Sequence, residues 1–186
     1  MRLATEDDAP AVLGIYAPIV EETVISFEMA PPTVDEMRAR IRLSLSEHAW
    51  IVSENEGVVD AYAYGSTLRT RAAYRWAVET AVYVAADRRG TGTGKRTYRA
   101  LLALLEVQGY VSAFGGITLP NPASVRLHES LGFAWVGAFP RVGYKFGAWH
   151  DVGFWRRSLS EPAGEPAPPR RLAELQADEV ARALAC

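Results

Sequence analysis

Residues 79–105 read ETAVYVAADRRGTGTGKRTYRALLALL. Gly90, Gly92 and Gly94 stand at every second position between a β-branched strand and a leucine-rich helix. In the strand half, period-two alternation puts Glu79, Ala81 and Tyr83 on one face and Val82 and Val84 on the other. The helix half, 92–108, aligns Tyr98, Leu101, Leu102 and Leu105 on one stripe. Glycines in such a turn let consecutive backbone N–H groups point at one anion, and the N-terminus of the following helix adds partial positive charge.

Spacing separates the loops that bind phosphate. A Walker loop needs glycine at 89 and Ser or Thr after Lys95, where the chain has Arg89 and Arg96. A dinucleotide fingerprint needs a third glycine at 95 or 97, where it has Lys95 and Thr97. What remains is V-x-V-x(4)-R-x-x-G-x-G, formed by Val82, Val84, Arg89, Gly92 and Gly94.

Outward from the loop, helical and strand periods alternate. Residues 7–21 carry Val12, Ile15, Tyr16, Ile19 and Val20 at helical spacing, and 33–46 is a second helix opening with PPTVDEM. Strands are predicted at AWIVSE and VVDAYAYGS, joined across Asn55 and Gly57, and at AVETAVYVA. After helix 92–108 come the strand YVSAFGGITL, the short helix PASVRLHESL stopped by Gly132, and closing strands FAWVGAF and DVGFWRRSL. This order predicts an α/β chain, a central mixed sheet covered by helices on both sides.

The 186 residues suffice for one well-buried core, expected over 1–159. The proline-rich SEPAGEPAPPRR then reads as a tether, and 160–186 as a tail whose final stretch is either a marginal helix packed on the body or a frayed end. Net charge is −2, so no bulk field draws the chain to nucleic acid or an anionic membrane, and its partners are expected among small molecules and protein. MRLATEDDAP lacks the apolar run of a signal peptide and no uncharged stretch approaches a membrane span, so a cytoplasmic location is expected. The lone cysteine, Cys186, and three scattered histidines predict neither a disulfide nor a metal site, and Cys186 is too isolated for a covalent acyl route.

The glycine-loop pattern resembles the acetyl-CoA loop of the GCN5-related N-acetyltransferase family. Three further stretches, AYRWAVETAVYV, LPNPASVRLHESLGF and GAWHDVGFW, resemble its phosphinothricin N-acetyltransferase group, from the N-terminus to about Pro169. The resemblance implies the fold of that family, acetyl-CoA as co-substrate without a metal, a homodimer, and acetylation of the amino group of phosphinothricin, conferring herbicide resistance. Methionine sulfoximine or methionine sulfone is the alternative acceptor, and a non-catalytic acyl-CoA sensor the alternative of another class. Thr118 departs from the group, which has glycine there beside the acceptor pocket, and the last 17 residues have no counterpart in it.

Acetylating an ammonium near neutral pH requires a base. Glu79, a carboxylate on an otherwise apolar strand, is the candidate. His128 matches a histidine characteristic of the group, and either protonates the departing thiolate or orients Glu79. A backbone N–H near Tyr83 or Val84 is placed to polarise the thioester. Val82, Tyr83, Val84, Arg89, Gly90, Thr91, Gly92, Thr93, Gly94, Asn121 and Ser124 are expected to hold acetyl-CoA. Asn121 either binds the pantetheine arm or caps a helix, or does both. Arg69, Arg71, Tyr74, Tyr83, Phe27 and Thr118 are expected at the acceptor, where an arginine fork pairs with an oxyanion. Phe27 reads equally as pocket wall and as core.

Overall fold

The structure is a computed structural model and describes residues 1–161 and 164–185. Cys186, and with it the reading of a non-covalent route, lies outside the described residues, as do Pro162 and Ala163. The chain opens with a short strand β1 (Arg2–Leu3) and helices α1 (Ala9–Glu22) and α2 (Val34–Glu47). Strands β2 (Trp50–Asn55), β3 (Val58–Thr67) and β4 (Ala77–Val84) follow, then α3 (Thr93–Gln108), β5 (Ser112–Leu119), α4 (Pro122–Glu129), β6 (Ala134–Lys145), β7 (Ala148–Ser158) and α5 (Ala177–Leu184). The strands form one mixed sheet in the order β1-β2-β3-β4-β5-β7-β6.

Local chemistry accounts for the early elements. In α1 the five apolar side chains of the predicted stripe are all buried. At the head of α2, Thr33 Oγ1 accepts from the Glu36 N–H at 3.2 Å and the Glu36 carboxylate accepts from the Thr33 N–H at 2.7 Å, a reciprocal capping box. The β2–β3 turn places Glu56 and Gly57 at φ of 52° and 81°. Period two then divides the core. Trp50, Val52 and Tyr62 join the α1–α2 cluster on one face of the sheet, while Ile51, Ala63 and Val78 join the α3 cluster on the other.

Three features differ from the sequence reading. β1 is two residues long, too short to show a period. β6 does not stop at Phe139 but continues through Pro140 to Lys145, and β7 begins at Ala148 rather than Asp151. Proline is tolerated because β6 is the edge strand and its pairing with β7 shifts register between Phe139 and Gly143. There Arg141 adopts φ 48° and its N–H donates to the Asp151 carboxylate at 2.7 Å.

The last element is a packed helix. α5 lies against α3, with Leu175 and Ala183 buried in the α3 cluster. The Gln108 amide donates to the carbonyls of Glu47 and Arg170, both at 3.0 Å, and the Trp76 indole donates to the Ala167 carbonyl at 2.8 Å.

Candidate active site

Strands β4 and β5 run parallel for only three pairs: Ala77 with Ser112, Val78 with Ala113, and Glu79 with Phe114. Beyond Glu79 they part, so the β5-facing edge of β4 loses its strand partner. The resulting notch is a small cavity of about 60 Å³, with Tyr83, Thr118, Asn121, Ser124 and His128 on its wall.

Glu79 sits where the strands separate. It is half-buried, and a side chain at Gly116 would meet its Oε1 at 3.4 Å, so the carboxylate lies over that glycine. Among the described residues Glu79 has no side-chain hydrogen bond and no ion pair. Burial pushes its carboxyl above the ordinary range, and the nearby Arg69 guanidinium draws it partly back. A carboxylate without partners, raised in basicity and next to a gap, is equipped to take a proton.

His128 is buried on the opposite side of the sheet. Its Nδ1 lies 2.8 Å from the Ser124 carbonyl, which can only accept, so Nδ1 carries a proton. Burial holds the imidazole below its usual range, favouring the neutral ring, whose Nε2 then accepts from the Tyr98 hydroxyl at 3.1 Å. The Tyr98 oxygen also lies 2.6 Å from the Thr80 hydroxyl, which is 3.0 Å from the Phe114 carbonyl. Both ring nitrogens are therefore engaged within the protein. No hydrogen bond joins His128 to Glu79 among the described residues; the link between them runs through Thr80, the chain neighbour of Glu79.

The double glycine of β5 makes room for both groups. A side chain at Gly115 would meet His128 Nε2 at 2.5 Å, while Gly116 faces Glu79. Tyr98, Thr80, Gly115 and Gly116 were not singled out from sequence. The Gly-Gly pair inside a strand was the available signal; the hydroxyls of Tyr98 and Thr80 lay hidden among residues read for periodicity alone.

A larger cleft of about 480 Å³ opens from the notch. Val82, Tyr83, Val84, Arg89, Gly90, Gly92, Gly94, Asn121 and Ser124, all predicted, lie on its wall. Thr91 and Thr93 brace the loop instead: their hydroxyls are 2.9 Å apart and Thr91 donates to the Arg88 carbonyl at 2.7 Å. Gly92 requires its φ of 86°, and a side chain at Gly94 would meet Val84 Cγ2 at 2.9 Å. Arg88, Arg89, Lys95 and Arg126 also line the cleft, without a carboxylate among its lining residues. Narrow at the notch, basic at the loop and headed by a helix N-terminus, it fits a thioester on a long arm ending in phosphates. Asn121 lines the cleft and also caps α4, accepting from the Ser124 N–H at 3.1 Å.

On the Glu79 side, Arg69, Arg71 and Tyr74 are exposed in the β3–β4 connection and line a cavity of about 290 Å³. Phe27 is half-buried beneath Gly143 and beside the His150 ring, 6.3 Å between centroids. Lys145 pins the α1–α2 connection that carries Phe27, donating to the carbonyls of Val20 at 2.6 Å and Ser26 at 2.8 Å. An aromatic cavity of about 400 Å³ lies under α2, walled by Tyr16, Trp50, Tyr62 and Tyr64, with Trp50 stacked on Tyr64 at 4.4 Å. The YAY alternation of β3 was its only trace in the sequence.

Comparison with known proteins accords with this geometry. The acetyltransferase (GNAT) domain family model matches residues 1–153. The chain is 39% identical over 175 residues to a phosphinothricin N-acetyltransferase of Streptomyces viridochromogenes, covering 94% of this chain and 95% of that protein. It is 33% identical to an L-methionine sulfoximine/L-methionine sulfone acetyltransferase of Salmonella typhimurium, covering 90% and 98%. Among solved structures, a GNAT superfamily phosphinothricin acetyltransferase of Sinorhizobium meliloti in complex with acetyl-CoA superposes with a TM-score of 0.86 at 32% identity, covering 89% of this chain and 91% of that one.

Proposed function

The chain belongs to the GNAT acetyltransferase family and is an acetyl-CoA-dependent N-acetyltransferase, and on that premise we propose that its acceptor is phosphinothricin, deprotonated by Glu79. The observation that carries the proposal is the position of Glu79: half-buried, without a side-chain hydrogen bond or ion pair among the described residues, at the last pair before β4 and β5 separate and within the field of Arg69.

Acetyl-CoA, when bound, supplies an activated acyl group as a thioester. Gly90, Gly92, Gly94 and the N-terminus of α3 hold its phosphates, and Asn121 and Ser124 the arm. The backbone N–H near Tyr83 or Val84, at the edge of β4 left open by β5, donates to the carbonyl oxygen as charge builds there. Arg69 and Arg71 hold the oxyanions of the acceptor, with Tyr74, Tyr83, Phe27 and Thr118 around it. Glu79, directly or through water, removes one ammonium proton. The freed amine then attacks, the C–N bond forms and the C–S bond breaks. Nitrogen ends with one proton too many and sulfur with one too few, so the reaction closes by moving one proton between them across the notch. His128 holds Tyr98 and Thr80 on the sulfur side.

A second acceptor reading rests on Thr118. Its side chain is buried at the notch on the acceptor side, and methionine sulfoximine and sulfone, which have the shape of phosphinothricin with an uncharged head, are the second acceptors it would meet. The sensor reading is not favoured, because relatives matching most of the chain are named acetyltransferases. A thiol-release assay with acetyl-CoA across phosphinothricin, methionine sulfoximine, methionine sulfone, polyamines and lysine peptides decides the acceptor. Highest kcat/KM for phosphinothricin is expected; preference for polyamines or lysine would reject the acceptor class.

A homodimer is part of the proposal. The β6–β7 hairpin presents Trp135, Phe139, Tyr144, Phe146 and Trp149, each at least half exposed, more apolar surface than a solvated edge needs. No described helix is long and apolar enough to cross a membrane, and a cytoplasmic location and herbicide resistance on expression complete the reading.

A further inference from the structure

The C-terminal segment has no counterpart in the reaction just described, yet it walls the arginine-lined cavity. Pro168, Pro169 and Arg171 line that cavity together with Arg69, Arg71 and Arg75. The segment is fixed there by main-chain contacts: the Arg170 N–H donates to the Gln108 carbonyl at 2.7 Å, and the Gln108 amide returns a bond to the Arg170 carbonyl at 3.0 Å. Arg170 is neutralised by Glu179 at 2.8 Å. Its neighbour Arg171 is not: among the described residues Arg69, Arg71, Arg75 and Arg171 form no ion pair, and Glu47 is the only carboxylate on the wall.

Four guanidinium groups gathered around one cavity with a single acid repel one another, and an anion relieves that repulsion. The cavity lies toward the base, although Glu79 does not itself line it. Ala77, two residues before Glu79, lies on its wall, and Arg69 acts on the Glu79 carboxyl. An acceptor with its amine at Glu79 would extend its far end into this space.

We propose that the C-terminal segment is part of the acceptor site and that Arg171 is a further specificity-determining residue, pairing with the distal oxyanion of a dianionic acceptor. This rests on the reading of Arg69 and Arg71 as acceptor contacts, and the fixed backbone of residues 167–170 sets where Arg171 stands. An exposed arginine contributes through charge and orientation more than through burial, so its removal has a moderate effect.

Steady-state kinetics of the full chain test this. Arg171→Ala should raise the KM for phosphinothricin about 3- to 10-fold, raise that for the monoanionic methionine sulfone less, and leave the KM for acetyl-CoA unchanged. Arg171→Lys, which keeps the charge, should stay within about 2-fold. Inorganic sulfate should inhibit competitively against the acceptor, and less strongly in Arg171→Ala. If Arg171→Ala melts below the wild type, Arg171→Lys and the sulfate pattern decide. An unchanged phosphinothricin KM in Arg171→Ala, alongside a raised one in Arg71→Ala, would overturn the role of the tail and leave the acceptor site standing. Sulfate competing only with acetyl-CoA would overturn it as well. If Arg71→Ala has no effect either, the acceptor reading itself falls.

Discussion

Gly115→Ala is the smallest change that disturbs the His128 side of the notch. The new Cβ would stand 2.5 Å from His128 Nε2, and ordinary contact begins near 3.4 Å, so the ring must give by the difference, about 0.9 Å. The ring is buried, stacked edge-on between Tyr98 and Phe133, and tied at both nitrogens, so it has little room to yield. A shift of that size breaks the 3.1 Å bond from Tyr98 and leaves buried polar groups without partners, at about 1–3 kcal/mol. For a domain of this size that lowers Tm by about 3–10 °C. Thermal melting and thiol release should be measured on Gly115→Ala beside Gly116→Ala, whose Cβ meets Glu79 Oε1 at an ordinary 3.4 Å. The first should melt well below the second and lose kcat about 10-fold or more, the usual scale for misplacing groups at a reacting centre, with little change in acetyl-CoA binding. Equal melting of the two variants with normal kcat in Gly115→Ala would refute the reasoning, because His128 would then be free to move without consequence.

Gly92→Val and Gly94→Val should each raise the acetyl-CoA KM by about two orders of magnitude or more, the first through its positive φ and the second through Val84, while EDTA leaves activity intact; activity restored by magnesium after EDTA would contradict this. Arg71→Ala should raise the acceptor KM about 10- to 150-fold, equivalent to about 1.5–3 kcal/mol, and the acetyl-CoA KM far less, as steady-state kinetics would show. Burial holds His48 and His128 below the usual imidazole range, so the unfolded chain binds protons that the folded one refuses. Their contribution to stability is present above about pH 6.5 and is lost as pH falls below it. Melting curves from pH 7.5 to 5 should fall more shallowly in His128→Asn than in the wild type; identical slopes would count against the buried neutral ring.

The sequence was most legible where one residue type has one physical use. The glycine alternation needed a turn before a helix, PPTVDEM opened a helix at Thr33, and Glu79 stood out because an apolar strand has no cheap place for a carboxylate. It was least legible where a residue serves two ends. Tyr98 falls on the buried stripe of α3, and periodicity reports that its ring is inside without reporting that its hydroxyl meets His128. Pro140 reads as a stop, and only the bulge opposite Asp151 on an edge strand explains why β6 continues. The docking of α5 depends on a groove made by α3 and on main-chain bonds to Gln108, neither of which is written in the segment itself.

The central claim is that Glu79 takes the proton, and the pH dependence of kcat/KM in Glu79→Gln tests it most directly. Burial raises the Glu79 carboxyl, so in the wild type the rate should climb as pH rises through a value above the ordinary carboxylate range, and climb again as the acceptor ammonium titrates. Glutamine keeps the shape and removes the basicity. At neutral pH kcat should fall about 10²- to 10⁴-fold, the lower rise should vanish, and part of the rate should return at high pH where solvent supplies free amine. Acetyl-CoA binding should be unchanged. A Glu79→Gln enzyme with near-normal kcat at neutral pH and an unaltered pH profile would contradict the account.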